Sequence, residues 1–379
     1  MSRVPLQSAP VGQFSITGKL ITLNVSMPSS PENPRPTIHD VAAALGMHKS
    51  TVSQGLSGKG TVSASTRQRI LKVAQEMGYE PNPLAQRLAN RGSNKLVYLC
   101  SYNLDVGIGT EKILSIQSKL KRLGWEVPIY SVARGNDETH RSQAEEIRDL
   151  CRQQPRAIVY ATHGAHPSAL PELQRYQQDG GIVVCYDAPV PLHCDQVVFD
   201  REHNAYQAAR YLIERGHTQL GISLPFEKEV TFSTQTNPRI IGFCRALGEA
   251  GLDVNDQWFF KCGDYEKGGQ QLAANFLSLK NRPTGLCVVN DYSALAFMSE
   301  VMEAGVRIPH ELSVVGHDNQ PVAKYCPVPL TCAVQPAEEI AQSVVDLLSA
   351  RLSGNRDDAQ TLTIRGELVE RKSVATHAP

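Results

Sequence analysis

The sequence predicts a small all-α helix-turn-helix head and a hinge helix, joined to an α/β body of two lobes built on doubly wound parallel sheets. Its 379 residues exceed one typical domain and suit a small module plus a large body. Apolar residues recur at helical spacing between Thr37 and Met77. From Leu96 onward, short runs rich in Val, Ile and Tyr alternate with helical patterns, the signature of a parallel sheet wrapped by helices. Charge divides along the same line. Residues 36–95 hold eight Lys or Arg against three Asp or Glu, whereas residues 96–379 hold 27 against 34. A basic head on an acidic body suits contact with a polyanion through one end only.

Residues 1–35 close on the run from Met27 to Pro36, proline-rich and polar, and are expected to be a disordered extension. Phe14 to Val25 alternates weakly like a strand without a neighbour to pair with. The segment reads as a dispensable tail, or as translation from an upstream start with Met27 as the first residue. Nothing in residues 1–26 has the apolar stretch and cleavage site of a signal peptide, and no apolar run is long enough to span a membrane. Nine cysteines, odd in number and without metal-type spacing, suggest neither a disulfide framework nor a metal site, so a reducing cytoplasm is the expected home.

The head is expected over residues 36–81. Thr37 can cap the first helix with Asp40 as the acidic partner of a capping box, and Ile38, Val41, Ala42 and Leu45 form its apolar face. Gly46 permits a tight turn. Lys49–Ser57 then supplies a second helix with Val52 and Leu56 inward and Lys49, Ser50, Ser53 and Gln54 outward. A third helix starts at Ser63, runs through Arg67, Ile70, Val73, Ala74 and Met77, and stops at Gly78. Residues 82–92 contain Pro83–Asn90, a helix too short to be stable alone.

In the body, residues 93–373, strands are expected at 96–101, 126–131, 157–162 and 182–186, with helices near 110–123, 138–152 and 168–178. A second series follows: strands 219–224, 257–261, 285–289 and 312–315, with helices 238–250, 266–279 and 291–304 between them. Side chains just past such strand ends face the cleft of a doubly wound fold. Ser101, Asp187, Arg239, Tyr265, Asn290, Asp291 and Asp318 fall there and are the candidate ligand contacts. Arg and Asp grip vicinal hydroxyls or a carboxylate, and Tyr265 can stack on a ring. Asp291 has a second reading as a helix cap, and Asp318 as a turn residue.

Thr37-x-x-Asp-Val-Ala, Gly46, Thr51-Val-Ser53, Val62-Ser63, Thr66-Arg67, Gly78-Tyr79 and Pro81-Asn82 together resemble the lactose and galactose repressor family of bacterial transcription regulators. The body resembles the periplasmic-binding-protein-like fold that this family carries, through Arg239-Ile-Ile-Gly-Phe243, Gly263-Asp-Tyr265, Pro283 to Asp291, Ile308-Pro309, Ser313 to Asp318 and Pro329-Leu-Thr331. The resemblance implies a second helix lying in the DNA major groove, with Lys49, Ser50 and Gln54 at base edges. Thr37, Thr51, Ser53 and Ser63 are the phosphate-gripping hydroxyls it implies. It also implies paired hinge helices entering the minor groove through Asn82, Ala85 and Leu88, with Leu88 wedged between base pairs. His48 departs from the family's usual Ser or Thr cap, Gln54 from a commonly basic residue, and His317 from a frequent aromatic. The resemblance further implies a homodimer on a pseudo-palindromic double-stranded operator and a small sugar-like effector, with no cofactor and no membrane. No leucine heptads follow Leu362 to build tetramers.

An enzyme is the rival class, since doubly wound folds host many chemistries. Its signals are weak. Gly107-Ile-Gly109 lacks the third glycine of a dinucleotide fingerprint, there is no phosphate-loop lysine motif or Gly-x-Ser-x-Gly elbow, and His163 and His166 have no partners at metal spacing. A transport-type binding protein would need an export signal. A regulator answering to a partner protein remains a third alternative.

Overall fold

The computed structural model describes residues 15–16, 19–20, 36–57, 62–79, 95–102, 104, 107–132, 142–163, 165–225, 237–263 and 265–377. Contacts divide the chain into two units, residues 1–93 and 94–379. In the first, the strand-like stretch near Phe14 pairs with itself: β1 (Ser15–Ile16) and β2 (Lys19–Leu20) form a two-residue antiparallel ladder. The missing partner was simply the next residues of the chain. The rest of the expected extension lies outside the described residues.

Three helices form the head: α1 (Ile38–Leu45), α2 (Lys49–Ser57) and α3 (Ala64–Glu76). Asp40 Oδ2 accepts from the Thr37 amide at 2.7 Å and from its hydroxyl at 2.8 Å, so the acidic half of the capping box is in place. Gly46 closes α1 with φ 62°, a left-handed turn that a Cβ would strain. Ser63 Oγ accepts from the Thr66 amide and caps α3. Val41, Ala42, Leu45, Val52, Ile70 and Ala74 make the core. Gly55 lets α2 lie against α3, since a Cβ there would stand 2.4 Å from Ile70 Cδ1.

The body holds two six-stranded sheets. In one lobe the order is β13-β7-β6-β5-β3-β4, formed by β3 (Val97–Ser101), β4 (Ile129–Ser131), β5 (Ala157–Ala161), β6 (Ile182–Asp187), β7 (Asp195–Phe199) and β13 (Thr361–Ile364), all parallel. Around it lie α4 (Ile108–Arg122), α5 (Gln143–Arg152), α6 (Leu170–Gln178) and α12 (Ala337–Leu352). The second lobe orders its strands β14-β12-β11-β10-β8-β9: β8 (Leu220–Pro225), β9 (Phe259–Cys262), β10 (Gly285–Cys287), β11 (Ser313–Asp318), β12 (Thr331–Val334) and an antiparallel β14 (Leu368–Val369). Its helices are α7 (Arg201–Ile213), α8 (Pro238–Glu249), α9 (Tyr265–Ser278), α10 (Asp291–Glu303) and α11 (Pro321–Tyr325). Apolar clusters fill both faces of each sheet, as burial of a parallel sheet on both sides requires.

The chain crosses between lobes three times, from β7 to α7, from β12 to α12 and from β13 to β14. The crossings are laced together. The Asp200 amide donates to Ile364 O at 2.9 Å, the Val334 amide to Glu367 O at 2.8 Å, and Gln207 Nε2 to Gly366 O at 2.8 Å. Sequence reading placed the two lobes in series and overlooked β7, α7 and everything after β11. The structure corrects this, because β13 returns to the first sheet after the second is complete.

Candidate functional site

On the head, Lys49, Ser50 and Gln54 are exposed on α2, and Thr51 and Ser53 are half-buried beside them. Thr37 and Ser63 are exposed at the starts of α1 and α3. The start of α2 is organised by His48: its Nδ1 lies 2.8 Å from Ser50 Oγ and 3.4 Å from the Ser50 amide. The imidazole therefore stands in for the hydroxyl cap and draws Ser50 toward itself. Asn82, Ala85 and Leu88 lie outside the described residues.

In the body a cavity opens between the two lobes at the carboxyl ends of both sheets. Ser101, Asp187, Arg239, Tyr265, Asn290 and Asp318 line it. Asp187 ends β6 and Asp318 ends β11, the equivalent strands of the two sheets, and both have left-handed φ, 100° and 110°. A non-glycine residue held there is strained, and such strain clusters at functional sites. Tyr265 shares the feature with φ 56°, and its carbonyl accepts from Ser293 Oγ. Asn290 caps α10 by accepting from the Ser293 amide at 2.8 Å.

Asp291 is a correction. It was expected to meet ligand, but it is fully buried, with Oδ2 accepting from the Gln320 amide at 2.6 Å and Oδ1 from Cys332 Sγ at 3.3 Å. The first residue of α10 turns toward the sheet, so the carboxylate supports the β11–α11 loop instead of facing the cavity. Burial pushes its carboxyl up to about 7.

Sequence reasoning missed the groups that set the cavity's electrostatics. Lys112, on the second turn of α4, is 1% exposed, and its Nζ donates to Asp187 Oδ2 at 2.8 Å and to Gln335 Oε1 at 3.2 Å. Arg201, at the first crossing, donates to the Asp187 carbonyl at 2.9 Å and to its carboxylate at 2.5 Å. Gln335, at the second crossing, passes the network on by donating Nε2 to Asp318 Oδ1 at 2.5 Å. A connected line thus runs Arg201–Asp187–Lys112–Gln335–Asp318 from one lobe to the other. Burial pushes the Asp187 carboxyl up, but the Arg201 and Lys112 charges more than reverse this and hold it well below the carboxylate range. Asp318 goes the other way, raised by burial and by Asp291. His163 also lines the cavity, and burial next to Arg201 lowers it to about 3, so its ring is neutral. No signal at a strand end marks Lys112, which approaches from a helix, and Gln335 directly follows β12, a strand the sequence pattern did not reveal. Outside the cleft, Gln320 Nε2 reaches across the lobes to Glu111 at 2.6 Å.

Among the described residues, no cluster of His, Cys, Asp or Glu could hold a metal ion, and no helix is long and apolar enough to cross a membrane.

A three-helix head and a two-lobed body with a polar cleft define a class of ligand-responsive DNA-binding proteins. Residues 37–82 match the model described as bacterial regulatory proteins, lacI family, and residues 209–374 the one described as a periplasmic binding protein-like domain. The HTH-type transcriptional repressor PurR of Vibrio cholerae is 27% identical over 340 residues, 89% of this chain and 98% of that one. Its namesake from Proteus mirabilis is 28% identical over 341 residues, covering 89% and 97%. Among solved structures, the lac repressor dimer bound to operator and the anti-inducer ONPF superposes with a TM-score of 0.73 at 23% identity, covering 90% of this chain and all of that one. A lacI-family regulator from Enterococcus faecium with bound ribose gives 0.64 at 20% identity, covering 75% and 100%. Residues 37–82 are thus similar to a family of bacterial regulatory proteins, and the curated relatives that match most of the chain are transcriptional repressors, not enzymes.

Proposed function

We propose that the chain is a sequence-specific transcriptional repressor that acts as a cytoplasmic homodimer on a pseudo-palindromic operator and is controlled by a small sugar-like effector in the cleft. The observation that carries this reading is the line of buried polar contacts joining the two lobes around the cavity, behind a head of the lacI family. A ligand seated there touches both lobes and both strained aspartates. Its differential affinity for the closed and open arrangements shifts the body between them. A 100-fold change in operator affinity needs about 2.7 kcal/mol of such coupling.

Lys49, Ser50 and Gln54 read base edges, because they are the exposed side chains at the start and second turn of α2. Thr37, Thr51, Ser53 and Ser63 set the register on phosphates. Asn82, Ala85 and Leu88 act in the minor groove, with Leu88 as the wedge. Ser101, Asp187, Arg239, Tyr265, Asn290 and Asp318 form the effector site.

Selection of bound DNA from a random pool, at stated salt and with and without metabolite mixtures, tests this. Two related half-sites flanking a flexible central step, released when the mixture is added, are the expected result; recovery of no specific sequence would overturn it. Leu88→Ala is expected to weaken operator binding at least about tenfold, in line with loss of the wedge's unstacking contacts, while leaving the unfolding transition of the body in place. Unchanged affinity in a mobility-shift titration would remove the wedge.

A further inference from the structure

Cationic side chains gather at the cleft. Lys112, Arg201 and Arg239 line it, and the carboxylates among its described lining residues are Asp187 and Asp318. Asp187 is shared between Lys112 and Arg201. Burial and the nearby Asp291 hold the Asp318 carboxyl well above the ordinary carboxylate range.

Two further observations point the same way. The fifteen-residue α4 starts in the cavity: Ile108 and Gly109 line it, and the N-cap, Gly107 with φ 92°, offers no side chain to the first-turn amides. An uncapped helix N-terminus concentrates donors and positive dipole. Independently, Arg201 Nε and Tyr186 Oη are buried without a hydrogen-bond partner, on lining residues whose side chain or whole surface is at most a tenth exposed. Thr110 Oγ1, on the first turn of α4, is also buried and unpaired. All three groups can donate. Unpaired buried donors are costly, and several of them around one cavity indicate a missing acceptor.

Resting on the reading of this cleft as an effector site, we infer that the effector carries an anionic oxygen group, a carboxylate or a phosphate. That group seats between the N-terminus of α4 and the Arg201 and Tyr186 side chains. The remainder of the molecule reaches Arg239, Asn290 and Tyr265 on the second lobe. In this arrangement the anion supplies the acceptor that the unpaired donors of one lobe lack, and the hydroxyls or ring carry recognition in the other.

Inorganic phosphate is the first probe, because it tests the subsite without requiring the right carbon skeleton. Thermal unfolding of the full chain is followed in phosphate and in sodium chloride of matched ionic strength. Phosphate is expected to raise the midpoint at millimolar concentration where chloride does not. Tyr186→Phe should weaken the phosphate effect at least fivefold and leave the phosphate-free midpoint within a degree or two, since Oη has no partner to lose. Gluconate and glucose 6-phosphate, each compared with glucose, then separate the two anion sources by which gains more affinity over the neutral sugar. No phosphate effect up to 50 mM (on the order of a weak-subsite dissociation constant), or an effect unchanged in Tyr186→Phe, would overturn the anion subsite. If a neutral metabolite still releases operator DNA in that case, the effector reading stands alone; if no metabolite does, both fall.

Discussion

Asp187→Ala is expected to destabilise the body by about 3–5 kcal/mol, the cost of breaking a buried ion pair by removing one partner. The carboxylate lies between two cations, Lys112 at 1% and Arg201 at 10% side-chain exposure. Its loss leaves both charges in a poorly hydrated wall. Lys112→Met is the informative contrast. It removes one cation, leaves Arg201 paired with Asp187, and replaces a buried ammonium by an apolar chain of similar length, so its cost should be much smaller. Denaturant unfolding of the two variants reads the asymmetry directly, and equal losses would mean that Asp187 contributes no more than packing.

The same residue shapes the dependence on pH. A carboxylate whose folded value is depressed contributes stability that is complete above its ordinary value, near 4, and is lost as pH falls below it. Asp291 has the opposite sign. Its folded value is raised to about 7, so the folded protein binds the extra proton and loses stability as pH rises from about 4 toward 7. Asp291→Asn should flatten that decline in unfolding curves taken across this window, whereas Asp187→Ala should flatten the acid limb below it. Interchange of these two effects would mean the charges are assigned to the wrong positions.

The head was nearly complete in the sequence because each of its signals is local. A capping pair at Thr37 and Asp40, glycine at a left-handed turn and an apolar stripe all act within a few residues, and α2 begins and ends where the pattern placed it. The first half of each lobe was legible for the same reason. Much of the rest depends on distant contacts. α7 buries a 2% exposed Asn204 and three alanines before Tyr211 and Leu212, so its strong apolar signal is confined to the last turn. The pairing of β13 with β7 joins Thr361 to Gln196 across most of the body, and no local pattern encodes that return. At the cleft, the strand-end rule led to residues from both sheets. It failed for Asp291, where one further residue into the helix reverses the direction of the side chain; it could not find Lys112, which approaches from a helix, or Gln335, which follows β12, a strand that was not read.

The crossings themselves give the second large effect, because there backbone meets backbone. A Cβ on Gly366 would stand 1.8 Å from the Val334 carbonyl oxygen and 2.8 Å from its carbon. Neither atom can rotate away, since Val334 ends β12, its amide is bonded to Glu367, and the Gly366 carbonyl accepts from Gln207. Gly366→Ala must therefore spread the second and third crossings, at a cost of about 3 kcal/mol, the upper end for overpacking. Gly248→Ala is the natural comparison: it sits within α8 with nothing within 4 Å of the added Cβ, and alanine there should stabilise by about 0.5–1 kcal/mol. The two substitutions should thus differ in sign. Under the proposed effector control, with closure bending the chain where it crosses between lobes, Gly366→Ala should also shift the effector concentration that half-releases the operator, while Gly248→Ala leaves it unchanged. A displaced unfolding midpoint with an unmoved effector response would separate the stability of the crossings from their role in coupling, and would assign closure to some other part of the body.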